Sequence, residues 1–157
     1  MAMMLAIVEA AKRVLEGIPN VELVTLLFVV FAVAYGLRTL IVAVAFVAVE
    51  ICFWGVHVWV IMYLYVWPLL ILLAWRMGRK YPPWAFALMT GFYGLLFGLL
   101  CSPVYLFMGG FNTAFSWWVA GIPYDIPHGI SNFVLCLILF KPLLAATDEA
   151  LKRIGRP

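Results

Sequence analysis

Between Val24 and Gly36 the chain carries no charge, and only Thr25 and Tyr35 bring a side-chain hydroxyl. This stretch lies in the second of six candidate helical segments, 2–16, 21–35, 39–54, 59–75, 84–106 and 125–144, of which the first is amphipathic and the others nearly charge-free. Crossing the hydrocarbon core takes about 20 apolar residues as helix, or fewer where neighbouring helices shield the ends. A water-soluble domain holds about 45–50% apolar and about 25% charged residues. Here 68% of the residues are hydrophobic and 11% charged, and the mean hydropathy is +1.13. The chain therefore reads as an all-α, polytopic membrane protein. It is expected to form a six-transmembrane-helix bundle with both termini cytoplasmic, and residues 1–157 form one membrane-embedded domain without a polar linker.

The breaks between segments carry turn chemistry. Pro19-Asn20 separates the first two segments, with Asn20 expected as N-cap and Glu22 in the first turn of the next helix. Gly36-Leu37-Arg38, Gly55-Val56-His57-Val58 and the polar loop 76–83 follow. Pro103 and Gly109-Gly110 end the fifth helix, and residues 111–124, interrupted by Gly121 and Pro123, read as a half-helix or lid. No basic n-region or cleavage site precedes the first segment, so that segment is expected to do the targeting. Cys52, Cys101 and Cys136 lie far apart in apolar runs, as small core residues do, and form neither a disulfide framework nor a metal site. A net charge of +3 is too weak and too scattered for a nucleic-acid surface.

Basic residues set the orientation. With six crossings, Arg38, Arg76, Arg79, Lys80, Lys141, Lys152, Arg153 and Arg156 fall on the cytoplasmic side, and only Lys12 and Arg13 do not. Segment 2–16 admits two arrangements. Glu9, Lys12, Arg13 and Glu16 recur at helical spacing, as in a helix lying in the interface. The same stripe would also suit a helix facing its neighbours and a cavity, with Glu9–Arg13 and Lys12–Glu16 compensating each other at i,i+4. The even crossing number favours the second.

Polar groups gather at the outer ends of the segments. Glu22 opens the second helix. Glu50, Trp54 and His57 share one face of the third, Trp59, Tyr63 and Trp67 stripe the fourth, and Asp125, His128 and Asn132 share a face of the last. The cytoplasmic halves are almost wholly aliphatic and aromatic. One outward-facing pocket is the simple inference, although each residue has a plainer role open to it. Trp75, Trp84, Trp117 and Trp118 suit interfacial belt positions. Trp59, Tyr63 and Trp67 could face lipid, His57 could cap a turn, Asp125 could be an N-cap, and Asn132 could bond a neighbouring helix. An acid at a helix centre costs about 2.5–3.5 kcal/mol even on the lenient insertion scale, so Glu50 and Asn132, about two turns below the surface, are harder to dismiss than Glu22 and Asp125 nearer the interface. No phosphate-binding Gly-rich loop, His-Glu-x-x-His pair or serine elbow occurs, so an enzyme is not expected. No cofactor or metal is expected either.

Three passages resemble a known family: Ile18-Pro19-Asn20-Val21-Glu22-Leu23-Val24, the aromatic run Trp59–Trp67, and Gly121-Ile122-Pro123-Tyr124-Asp125-Ile126-Pro127-His128-Gly129-Ile130-Ser131-Asn132-Phe133, closing with Lys141-Pro142-Leu143. Together they resemble the S components of energy-coupling factor (ECF) transporters, small six-helix subunits that bind vitamins and related micronutrients. The resemblance implies capture of substrate from outside, followed by release inward driven by a T component and two cytoplasmic ATPase subunits. It implies that the loop before the last helix, with Trp117 and Trp118, and the Asn at position 132 contact the ligand. A small-residue face on the first helix would dock the T component, and Ala2, Ala6 and Ala10 have the spacing for close helix approach. The nickel and cobalt branch carries a His near its N-terminus, which this chain lacks, so those ions are not expected. The substrate-binding candidates are thus Glu22, Glu50, Trp54, His57, Trp59, Tyr63, Trp117, Asp125, His128 and Asn132. Aromatic faces would stack on a planar ring while a few polar groups orient it. The competing readings are a stand-alone secondary transporter with Glu50 and Asp125 as proton-coupling sites, and a membrane enzyme or assembly factor using Asp125 and His128 as acid and base.

Overall fold

The computed structural model describes residues 1–153 and 155; Arg156, counted above among the cytoplasmic basic residues, lies outside them. Helix accounts for 89% of the chain and no strand occurs among the described residues, so the backbone satisfies its own hydrogen bonds as a bilayer demands. The elements are α1 (Ala2–Leu15), α2 (Val24–Tyr35), α3 (Thr39–Trp54), α4 (Val58–Met77), α5 (Pro83–Leu95), α6 (Phe97–Cys101) and α7 (Pro103–Arg153). Three stretches, Val24–Trp54, Val58–Lys80 and Pro103–Arg153, are long and apolar enough to cross a membrane. The chain is membrane-associated on that basis. Two of the stretches double back, the first at a single 3-10 turn, Gly36–Arg38, and the last at Gly109-Gly110. Gly36 and Gly110 take φ of 66° and 75°, which side chains with a Cβ rarely adopt.

Helix α2 is the buried centre, with every residue from Val24 to Ala32 inside. Phe28 meets Phe46 of α3 edge-on at 5.8 Å and Trp67 of α4 at 5.4 Å, so one aromatic cluster joins three helices. Beside it, α5, α6 and α7 form a long antiparallel helical hairpin. Its rungs run from Arg79–Asp148 through stacked Phe86–Phe140 (4.4 Å) and Gly98–Asp125 to stacked Tyr105–Trp117 (4.6 Å), next to the turn. Glycine allows the close approach at its middle. A Cβ on Gly94 would lie 2.8 Å from the Gly129 Cα, and one on Gly129 would lie 2.8 Å from the Gly91 carbonyl oxygen. Tyr93 donates a 2.5 Å hydrogen bond to the Val66 carbonyl, tying the hairpin to α4.

Four sequence expectations need correction. The fifth helix, expected over 84–106 and ended by Pro103, is divided: α5 stops at Leu95, α6 spans Phe97–Cys101, and Pro103 opens α7. Cys52, expected as a core residue, is exposed. Residues 111–124 are neither a separate half-helix nor a lid: they continue without interruption into the last helix, past Gly121 and Pro123. A proline removes one N–H and bends a helix, but it need not end one whose remaining turns are intact. Asn20 does not cap α2. It occupies the turn at φ 60°, and the Glu22 carboxylate accepts from the Thr25 N–H at 2.9 Å instead, closing the first turn. The described basic residues other than Lys12 and Arg13 gather at one end of the bundle: Arg79 pairs with Asp148 at 2.6 Å, and Gly36, two residues before Arg38, packs against Trp75.

Candidate functional site

At the opposite end, the helices part around a cavity of about 590 Å³. The turn before α2 supplies Asn20, Val21 and Glu22. Phe46 comes from α3, Tyr63 and Trp67 from α4, Phe97 and Gly98 from α6, and α7 contributes Trp117, Ala120, Gly121, Tyr124, Asp125 and His128. Lys12 reaches in from α1. The volume suits a small organic molecule.

The carboxylates on this wall are held in different ways. Asp125 accepts the Gly98 N–H at 3.1 Å through both oxygens, capping the short helix α6 from across the hairpin. A Cβ on Gly98 would come within 2.5 Å of that carboxylate, so only glycine leaves room for it. Glu22 spends one oxygen on Thr25, and its Oε1 has no partner. His128 stacks on Phe97 at 5.0 Å, and its Nε2 stops 3.8 Å from Glu22 Oε1, beyond hydrogen-bond distance. Trp67, 3% exposed, holds an unpartnered Nε1–H. Three lining side chains thus carry a buried polar atom without a hydrogen-bond partner among the described residues, and two of these atoms, Glu22 Oε1 and His128 Nε2, face each other.

Glu22, Tyr63, Trp117, Asp125 and His128 therefore meet around one space. The other candidates lie elsewhere. Glu50 is fully buried beneath the cavity edge and pairs with Lys12 and with Arg13, the latter at 3.0 Å. Lys12 thus turns to Glu50 and not to Glu16, the partner its spacing offered, while Arg13 approaches Glu9 at 3.8 Å and Glu16 at 3.7 Å. Trp54, His57 and Trp59 border a second hollow of about 390 Å³, which shares Lys12 and Tyr63 with the first. His57 stands at the N-terminus of α4 without a capping bond and stacks over Trp59. Asn132 is buried one level deeper, its Nδ2 donating to the Thr25 hydroxyl at 3.5 Å, and does not line the cavity. Ala2, Ala6 and Ala10 lie along the exposed side of α1.

Sequence reasoning set Lys12 in a stripe facing neighbouring helices and a cavity but did not count it among the binding candidates. Its ammonium sits 5.1 Å from the Trp59 ring centre, 5.6 Å from Phe46 and 5.9 Å from Tyr63, an aromatic surround that favours a cation. The signal was present: Lys12 and Arg13 are the basic residues that depart from the one-sided charge pattern. Phe97 and Tyr124 gave no comparable sign. Among the described residues no group of three or more His, Cys, Asp or Glu could hold a metal ion. No family model, curated protein or solved structure matches the chain.

Proposed function

We propose that this protein is the substrate-capture subunit of an ATP-driven uptake transporter, an S component of the ECF kind. In this reading it crosses the cell membrane six times with both termini in the cytoplasm. It takes a vitamin-like small molecule from outside into the cavity and works with a T component and two cytoplasmic ATPase subunits. The observation that carries the reading is the cavity itself: walled by aromatic rings, sized for a metabolite, and bordered by Lys12, Glu22, Asp125 and His128. Its location supports the direction of transport, because the described basic residues other than Lys12 and Arg13 collect at the other end of the bundle and basic loops stay cytoplasmic. The exposed alanine face of α1 supports a helix-docking role, with Glu9 and Arg13 turned partly inward beside it.

Affinity purification from the native membrane tests this. T-component and ATPase subunits should co-purify, mass spectrometry of the protein in detergent should release a small molecule, and the isolated chain should hydrolyse no ATP. Repeated recovery of the chain without such partners would reject the proposal. Uptake by vesicles holding this chain alone, driven by a pH gradient, would favour the stand-alone transporter. That alternative has less support, since Glu50 is held by two cations and Asp125 by the Gly98 N–H.

A further inference from the structure

No charged residue lies between Lys80 and Asp125, a run that covers α5, α6 and the turn of the long hairpin. The other two connections at the cavity end are polar: 16–22 carries Glu16, Asn20 and Glu22, and 55–57 carries His57. The hairpin tip is apolar instead, and the rest of the protein leaves it bare. Every residue from Leu106 to Thr113 is exposed, Phe107 at 90% and Phe111 at 72%. Successive helical residues point about 100° apart, so three exposed in a row on each side of Gly109-Gly110 leave the tip open all round. A folded partner covers one face; this surface has no single face to cover. The turn also closes its own bonds, with the Thr113 hydroxyl donating to the Gly109 carbonyl at 2.7 Å and the Ser102 hydroxyl to that of Leu99 at 2.8 Å. Beside the tip lies a hollow of about 580 Å³, lined by Ile61 and Tyr65 of α4 and by Val104, Phe107 and Met108. The one polar side-chain group there, the Tyr65 hydroxyl, is bonded to the Cys101 carbonyl at 3.3 Å.

We propose that the hairpin tip is a lipid-binding element, immersed in the leaflet on the cavity side with an acyl chain seated in the hollow between α4 and Met108. Acyl chains cover an irregular surface from every side, ask for no hydrogen bond and tolerate no charge, which is what this tip offers. Asn112 and Ser116, both exposed, set the depth. They place the tip where acyl chains meet headgroups, which supply polar partners, and not at the bilayer centre. The arm that carries Trp117 to the cavity is thereby tethered to lipid at its turn. The inference depends on the membrane reading of the chain and not on what the cavity captures.

Fluorescence quenching tests this in the purified full-length protein, reconstituted into phosphatidylcholine vesicles with no other protein present. In a Cys52→Ala background, Phe111→Cys at the tip, Ile61→Cys in the hollow and Glu16→Cys as a reference each carry the fluorophore NBD; all three positions are exposed. NBD at 111 and at 61 should emit to the blue of NBD at 16. Lipids bearing a nitroxide on the acyl chain should quench both at least threefold more than they quench position 16. Iodide, present on both sides of the vesicle, should quench both at least threefold less. Iodide quenching at 111 equal to that at 16, with none by the nitroxide lipids, would overturn the proposal. Protection from iodide without quenching by the nitroxide lipids would mean that a second copy of the chain covers the tip, and would overturn it as well. Lipid quenching at 111 but not at 61 would refute the acyl-chain seat in the hollow.

Discussion

Glu50 has no exposed surface and lies in a helix otherwise made of apolar side chains. Its charge is tolerable there because Lys12 and Arg13 both reach it from α1. Removing one member of such a pair leaves uncompensated charge, which typically costs 3–5 kcal/mol. Glu50→Ala should therefore lower stability by about 3 kcal/mol, and Lys12→Met in the same chain should recover part of the loss, as thermal unfolding in detergent will read. The depth of Glu50 was legible in the sequence, since an acid inside an apolar run must find a partner. Its partner was not. Glu16 stands four residues from Lys12 and competes on local spacing, whereas the true partner comes from another helix and is fixed only by how α1 packs on α3. Asn132 shows the reverse limit: helical spacing put it on the face of Asp125 and His128, yet it lies one turn too deep to reach the cavity.

At the scale of elements, the long hairpin depends on glycine. A Cβ at position 129 would come within 2.4 Å of the Leu95 side chain and 2.8 Å of the Gly91 carbonyl, and the carbonyl cannot turn aside without breaking helix geometry. Gly129→Ala should separate the two arms and cost about 2 kcal/mol, lowering the melting temperature and weakening ligand binding together. Most helix positions were visible in the sequence, because a run of apolar residues between turn signals has few alternatives. The exceptions lay in 84–106, which breaks after Leu95 and again before Pro103, and at Gly121 and Pro123. Punctuating residues were read as ends at that last pair, but a helix supported along its length by the opposite arm tolerates them. A lone glycine costs only about 1 kcal/mol relative to alanine, and the Tyr105–Trp117 and Gly98–Asp125 contacts flank this stretch.

For the molecule as a whole, the charge pattern makes the orientation a measurable quantity. In a Cys52→Ala background, Glu16→Cys in intact cells should react with a membrane-impermeant maleimide, and Tyr81→Cys should react only after the cells are opened; both positions are exposed. The opposite labelling would invert the orientation and put the cavity on the cytoplasmic side. Fold class was readable at this scale from hydropathy alone, whereas the full lining of the cavity was not, because it depends on how the helices pack. Rods that touch at a bare crossing turn about it. With backbone against backbone near Gly94 and Gly129, the arm that presents Trp117 and Asp125 to a guest is the same helix that carries Asp148 to Arg79, and the crossing lies between them. A guest that draws Trp117 inward would swing the other end outward, so occupancy at one face would be felt as leverage at the other.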